Sequence, residues 1–148
     1  MLVNRKNVGE IPAVQLETAI GSALECFEGA IGLTVSRDRF LPVKKTDDLL
    51  LVRSNLFTLN KGQLKINPQR KSHHLPKIEL GEFLQNIENF QNSLPIIPDL
   101  VDLEELKIKG DVRFEGTASL KGKVHLEGLK KALILPSGVV IADESLQG

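Results

Sequence analysis

Tryptophan and tyrosine are missing from this chain of 148 residues, cysteine and methionine occur once each, and 19 basic residues cancel 19 acidic ones. Each shortage excludes something. Without Trp or Tyr there is little for unpaired bases to stack on, and scattered Lys61, Lys65, Arg70 and Lys71 read as a solvated face rather than a nucleic-acid groove. A net charge of zero leaves no long-range field to gather phosphate backbones or anionic lipid. Neither nucleic acid nor a membrane is an expected partner, and any anion site must be local. The single cysteine, Cys26, cannot form an internal disulfide; it falls on the apolar side of an expected helix and reads as a small buried hydrophobe. No apolar run is long enough to span a bilayer and no charged-then-apolar signal segment follows Met1, so the cytoplasm is the expected compartment. There is also no Gly-x-Gly and no glycine-rich loop ending in Arg or Lys, so nothing in these residues could wrap a triphosphate.

What is present is a helix-and-strand half followed by a repetitive half. Leu16, Ala19, Ile20, Ala23, Leu24 and Phe27 recur at steps of three and four and predict a helix of about four turns, closed by Gly29 in the left-handed region. Ile31, Leu33 and Val35 alternate and predict a strand over 30–35. Thr46, followed by Asp47 and Asp48, is a good N-cap for a helix over about residues 47–56, because its hydroxyl can accept an orphan N–H and the carboxylates suit the positive dipole end; the aliphatic run over 49–52 would also fit a buried strand. Asn60-Lys61-Gly62 predicts the turn of a small hairpin between Phe57–Leu59 and Leu64–Ile66. Residues 67–76 read as an exposed loop, and Leu80, Phe83, Leu84, Ile87 and Phe90 as an amphipathic helix stopped by Pro95.

From residue 104 the pattern changes to a beat of six. Glycines stand at 110, 116, 122 and 128. Leu106, Val112, Ala118 and Val124 keep the beat in one register, and Ile108, Phe114, Leu120 and Leu126 in another. Residues 129–132 break step, after which Leu133 with Val139 and Leu135 with Ile141 resume it. Such a hexad repeat is the mark of a parallel β-helix, each short strand forming one side of a coil and three hexads completing a turn. The expected division is therefore 1–95 and 96–148, within an α/β protein.

The segments Val14–Gly21, Ser36–Lys44, Thr46–Val52 and Ser119–Val124 are similar, in order and spacing, to the C-terminal third of eukaryotic-type UDP-glucose pyrophosphorylases, the UTP:glucose-1-phosphate uridylyltransferases. The resemblance implies the C-terminal portion of an α/β nucleotidyltransferase domain followed by a short left-handed parallel β-helix. It implies transfer of uridylyl from UTP to glucose 1-phosphate with release of pyrophosphate, a requirement for Mg²⁺, and an N-terminal catalytic portion upstream that carries the uridine and sugar pockets and the metal-binding carboxylates. This chain is accordingly expected to be inactive alone. By the resemblance, Lys44, the lysine of Phe40-Leu41-Pro42-Val43-Lys44, reaches the substrate phosphates, with Arg39 and Thr46 as further candidates to touch substrate. A cation there suits the chemistry, because attack at the α-phosphorus spreads negative charge over oxygens that a preorganised positive group stabilises. Two positions depart from the family pattern: Lys45 replaces a small residue and is expected to point to solvent, and Asp47 replaces a serine and brings a negative charge near the anion site.

Other constellations point elsewhere. His73-His74 lack a third ligand at fixed spacing and read as a solvated loop. His125 alternates with inward-facing Val124 and Leu126, so it should point outward, against a hexapeptide-type acyltransferase that would use it as a base. A further alternative is an assembly module, in which open β-helix edges mediate homo-oligomer contacts.

Overall fold

The computed structural model describes residues 2–18, 20–37 and 40–148. Two compact units emerge, Met1–Ser36 and Arg37–Gly148, and the expected boundary at 95/96 falls inside the second. Among the described residues no helix is long and apolar enough to cross a membrane.

The first unit is an antiparallel hairpin of β1 (Leu2–Val8) and β2 (Ile11–Glu17), followed by a 3-10 helix over Ile20–Cys26. Val8 pairs with Ile11 across the two-residue loop Gly9-Glu10, where Gly9 takes φ +63°. The four-turn helix expected over 16–27 is therefore corrected: Leu16 belongs to β2, and Ala19 lies outside the described residues. Amphipathic helices draw most of their stability from burying one face. Leu24 and Phe27 find no such cover, standing 54% and 66% exposed. Cys26 is likewise exposed rather than buried. The strand expected over 30–35 is also absent: Ile31 and Leu33 are 89% and 87% exposed in extended chain with no ladder partner among the described residues. A strand's alternation becomes a strand only where another supplies hydrogen bonds.

In the second unit α1 (Thr46–Arg53) leads into a hairpin of β3 (Phe57–Asn60) and β4 (Gln63–Ile66). Its turn is at the expected place, with Lys61 and Gly62 both at positive φ, 48° and 76°, as a tight two-residue hairpin loop requires. After β5 (Lys77–Leu80) come α2 (Glu82–Gln85) and α3 (Ile87–Ser93). One amphipathic helix was expected across 80–90. It is split because Asn86 caps α3 instead, its side chain accepting from Glu88 N at 2.9 Å and Asn89 N at 3.1 Å.

The remaining chain forms a parallel sheet. β5 pairs with β6 (Leu103–Phe114), β6 with β7 (Ala118–Leu135), and β7 with both β8 (Val139–Ala142) and β9 (Ser145–Gln147), all parallel. Leu106 stands beside Val124 and Ile108 beside Leu126, three hexads on. The predicted inward residues are buried without exception in both registers through residue 126, and Leu135 and Ile141 with them; Leu133 and Val139 are half-buried. Glycine is required where successive rungs touch backbone to backbone. Gly110 and Gly128 are register partners; a Cβ at Gly110 would meet the Gly128 carbonyl, and one at Gly128 the Asp111 carbonyl. Leu50 of α1, Leu84 of α2 and Phe90 of α3 join the same apolar core as the sheet, so the helices cap it rather than form a separate body.

The outer face of the sheet is a ladder of opposite charges. Glu105 accepts from His125 Nε2 at 3.0 Å and from Lys107 Nζ at 3.1 Å, and Lys109 pairs with Glu127 at 3.3 Å. His125 thus faces outward, as the alternation predicts. These bonds hold the Glu105 carboxyl down to about 2, the His125 hydrogen bond contributing most and Lys107 next. Because the folded value lies below the ordinary 4.5, this stabilisation is complete above pH 4.5 and is lost as pH falls toward 2. Thermal midpoints measured between pH 6 and about 2 should therefore decline on acidification, with a shallower decline in Glu105→Gln. Parallel curves for the two proteins would show that the pair does not contribute.

Candidate functional site

The segment running from Phe40 to Lys45 approaches the positive end of α1, and the first turn shows how the sequence builds that approach. Lys45, not Thr46, is the N-cap, extended at φ −130° and ψ 167°. Asp48 takes over the capping, its Oδ2 accepting the backbone N–H of Lys44 at 2.9 Å and of Lys45 at 3.0 Å. Those two bonds hold the Asp48 carboxyl below its ordinary value, outweighing partial burial. Thr46 is corrected from cap to first helical residue: it is buried and its hydroxyl has no hydrogen-bond partner among the described residues.

Lys44 and Lys45 are both exposed. Lys44 sits one residue ahead of the cap, at the positive end of the α1 dipole, which favours an anion, while its own amide and that of Lys45 are taken by Asp48. Arg39 lies outside the described residues. Asp47 does not simply add charge near the anion site. Its Oδ1 accepts Leu80 N at 2.6 Å and its Oδ2 accepts Gln85 Nε2 at 2.9 Å, so both oxygens are spent on the end of β5 and on α2.

Beside this segment lies a cleft of about 750 Å³. Arg37, Phe40 and Leu41 wall one side, with the Arg37 guanidinium 4.9 Å from the Phe40 ring centre, and Phe57, Leu64 and Ile66 of the β3–β4 hairpin line it too. Lys65 lines it and Lys44 does not. Sequence reasoning brought none of the hairpin residues to this place, because their spacing signals a turn and says nothing of what the turn packs against.

Arg70 is corrected too. Expected in a solvated face, it is 8% exposed; Lys61, Lys65 and Lys71 are exposed as expected. Its Nη1 donates to Val101 O at 2.7 Å and Leu103 O at 2.9 Å, while Nε and Nη2 donate to His74 O at 3.0 and 2.6 Å. The loop 67–76 is thereby fastened to the start of β6. His73 and His74 are exposed, and among the described residues no group of three or more His, Cys, Asp or Glu could hold a metal ion.

Comparison with known proteins finds a family model described as UTP–glucose-1-phosphate uridylyltransferase over residues 1–121. A protein of that name from Solanum tuberosum is 44% identical, matching all of this chain and 31% of its own length, and one from Encephalitozoon cuniculi is 39% identical, with 30% of its length matched. Among solved structures, a single-residue variant of UDP-glucose pyrophosphorylase from Leishmania major in complex with UDP-glucose superposes with a TM-score of 0.75 at 29% identity, covering 99% of this chain and 32% of that one. A UDP-glucose phosphorylase structure from Trypanosoma brucei gives the same score and identity, with 34% of its chain covered. The chain spans about a third of the length of the relatives it matches.

Proposed function

Because the chain belongs to the UTP–glucose-1-phosphate uridylyltransferase family, we propose that it is the C-terminal part of an enzyme that moves uridylyl from UTP to glucose 1-phosphate. In that reaction a phosphate oxygen of glucose 1-phosphate attacks the α-phosphorus of UTP, the bond to the bridging oxygen breaks, and pyrophosphate leaves. Negative charge grows on the oxygens around the α-phosphorus and on the departing group, and a fixed cation lowers the barrier in proportion to that growth. Lys44 is our candidate for the cation, with Arg39 as a further contact; Thr46, whose hydroxyl is buried, leaves the set of candidate contacts. The observation that carries this reading is the exposed side chain of Lys44 immediately ahead of the capped end of α1.

Mg²⁺ belongs to the proposal through ligands outside this chain. The acidic groups nearest Lys44 do not fit a metal site, since Asp47 and Asp48 already accept hydrogen bonds from Leu80, Gln85, Lys44 and Lys45. The catalytic portion carrying those ligands lies upstream in our reading, in the cytoplasm. We further read the parallel sheet as a short left-handed β-helix. The six-residue beat and the stacking of Gly110 on Gly128 support it. The last strands β8 and β9 each pair with β7, and their open edges favour a homo-oligomer contact.

The reading is tested with UTP and glucose 1-phosphate. The 148-residue chain should form no UDP-glucose, and the same chain joined to the upstream two-thirds should form it with stoichiometric pyrophosphate. Turnover by the chain alone, or none by the joined protein, would overturn it.

A further inference from the structure

We propose that the adjacent carboxylates Asp47 and Asp48 are positioning residues for Lys44, Asp48 holding the lysine's backbone on the first turn of α1 and Asp47 holding that turn on the end of β5. The inference rests on the reading of Lys44 as the phosphate-facing cation.

The geometry is a chain of short bonds. A single oxygen of Asp48 receives two successive amides, Lys44 N at 2.9 Å and Lys45 N at 3.0 Å, which fixes the peptide between the two lysines. Asp47 reaches the other way, to Leu80 N at 2.6 Å through Oδ1 and to Gln85 Nε2 at 2.9 Å through Oδ2. Gln85 Nε2 also donates to Leu80 O at 2.8 Å, so Asp47, Gln85 and the two polar groups of Leu80 close a ring. The first turn of α1 is thereby tied to the sheet, whose inward residues are buried. A lysine side chain has four rotatable bonds, so where its charge can rest is decided by how firmly its Cα is held; a misplacement of about 1 Å costs on the order of a hundredfold in rate. The cost of setting an anion beside the phosphate site is small, because two N–H donors already neutralise the Asp48 oxygen that faces the lysine backbone.

Two measurements test this. In ¹H–¹⁵N spectra of the 148-residue chain, the amides of Lys44 and Lys45 should titrate together with a midpoint below 3.8, the ordinary aspartate value, and the movement should vanish in Asp48→Asn. In the joined protein, Asp48→Ala should lower kcat about tenfold or more with KM changed less than about threefold, and Asp48→Asn, which keeps an acceptor oxygen, should recover most of the rate. Asp47→Ala should act in the same direction. Amides that still titrate in Asp48→Asn overturn the inference even if the alanine variant fails to fold. Loss of turnover in Lys44→Ala beside unchanged turnover in Asp48→Ala overturns this inference alone, whereas full activity in Lys44→Ala overturns the reading beneath it and this inference too.

Discussion

Replacing Lys44 by alanine in the joined protein is expected to lower kcat about a hundredfold or more, while Lys45→Ala costs less than about tenfold. The two lysines are neighbours, both exposed, and both give their backbone N–H to Asp48, so composition and local field hardly distinguish them. Their places do. Lys45 is the N-cap, and successive side chains along extended backbone point to opposite sides, so only one of the pair can face a given ligand. The motif and the approach to the helix end choose Lys44. A charge partner that acts chiefly in the transition state lowers kcat and kcat/KM together when removed, and that joint fall is the expected signature. Equal losses in the two variants would assign the role to the wrong lysine, and a rise in KM alone would make Lys44 a ground-state contact.

The second large effect is on stability. Arg70→Ala should destabilise the chain by about 3 kcal/mol, because it removes four charge-assisted hydrogen bonds, leaves the buried Leu103 carbonyl without this donor and frees the loop from the start of β6. For a protein of this size that corresponds to a fall in thermal midpoint of roughly 10 °C. Burial pushes the guanidinium's pKa down from its ordinary value, with Asp102 and Glu104 opposing, but arginine stays charged at any pH of interest, so the loss should not depend on pH near neutrality. Arg70→Lys should rescue little, since one compact ammonium cannot span three carbonyls that a planar fork reaches. Denaturant unfolding and a thermal melt, both followed by circular dichroism, give the two numbers. A loss under about 1 kcal/mol in Arg70→Ala would mean that the guanidinium is solvated and the loop free.

How legible the molecule was varied with the range of the forces involved. The hexad rungs were readable because inward and outward residues alternate within each short strand, and Leu106, Ile108, Val112 and Phe114 announce their burial by spacing alone. The turn at Lys61-Gly62 was readable because two successive positive φ angles demand particular residues. The helix over 16–27 was misread for the opposite reason. Its apolar stripe meets the periodicity of a helix, but its first residue, Leu16, is drawn into β2 opposite Val3, and the later ones, Leu24 and Phe27, find no face to bury against, so only a 3-10 helix over Ile20–Cys26 forms. The division of 80–90 into two helices had a signal that was available and passed over: Asn86 followed by Ile87 and Glu88 has the chemistry of a cap.

The candidate site divides along the same line. Its motif, from Phe40 to Lys44, and the acidic start of α1 were evident as residues, and so was the family they resemble. What each carboxylate does was not. Asp47 and Asp48 are adjacent and chemically identical, yet one binds the backbone just before it while the other binds Leu80 and Gln85 more than thirty residues away. Likewise nothing about Arg70 distinguishes it from Lys71 until β6 brings the Val101 and Leu103 carbonyls to it. The period of burial, the turns and the membership of a family follow from residue order, because steric limits and side-chain alternation act over a few residues. Which polar groups bond inside the protein and which are left to meet a ligand follows from the folded chain instead, because a hydrogen bond needs a partner within about 3 Å and residues far apart in order supply it.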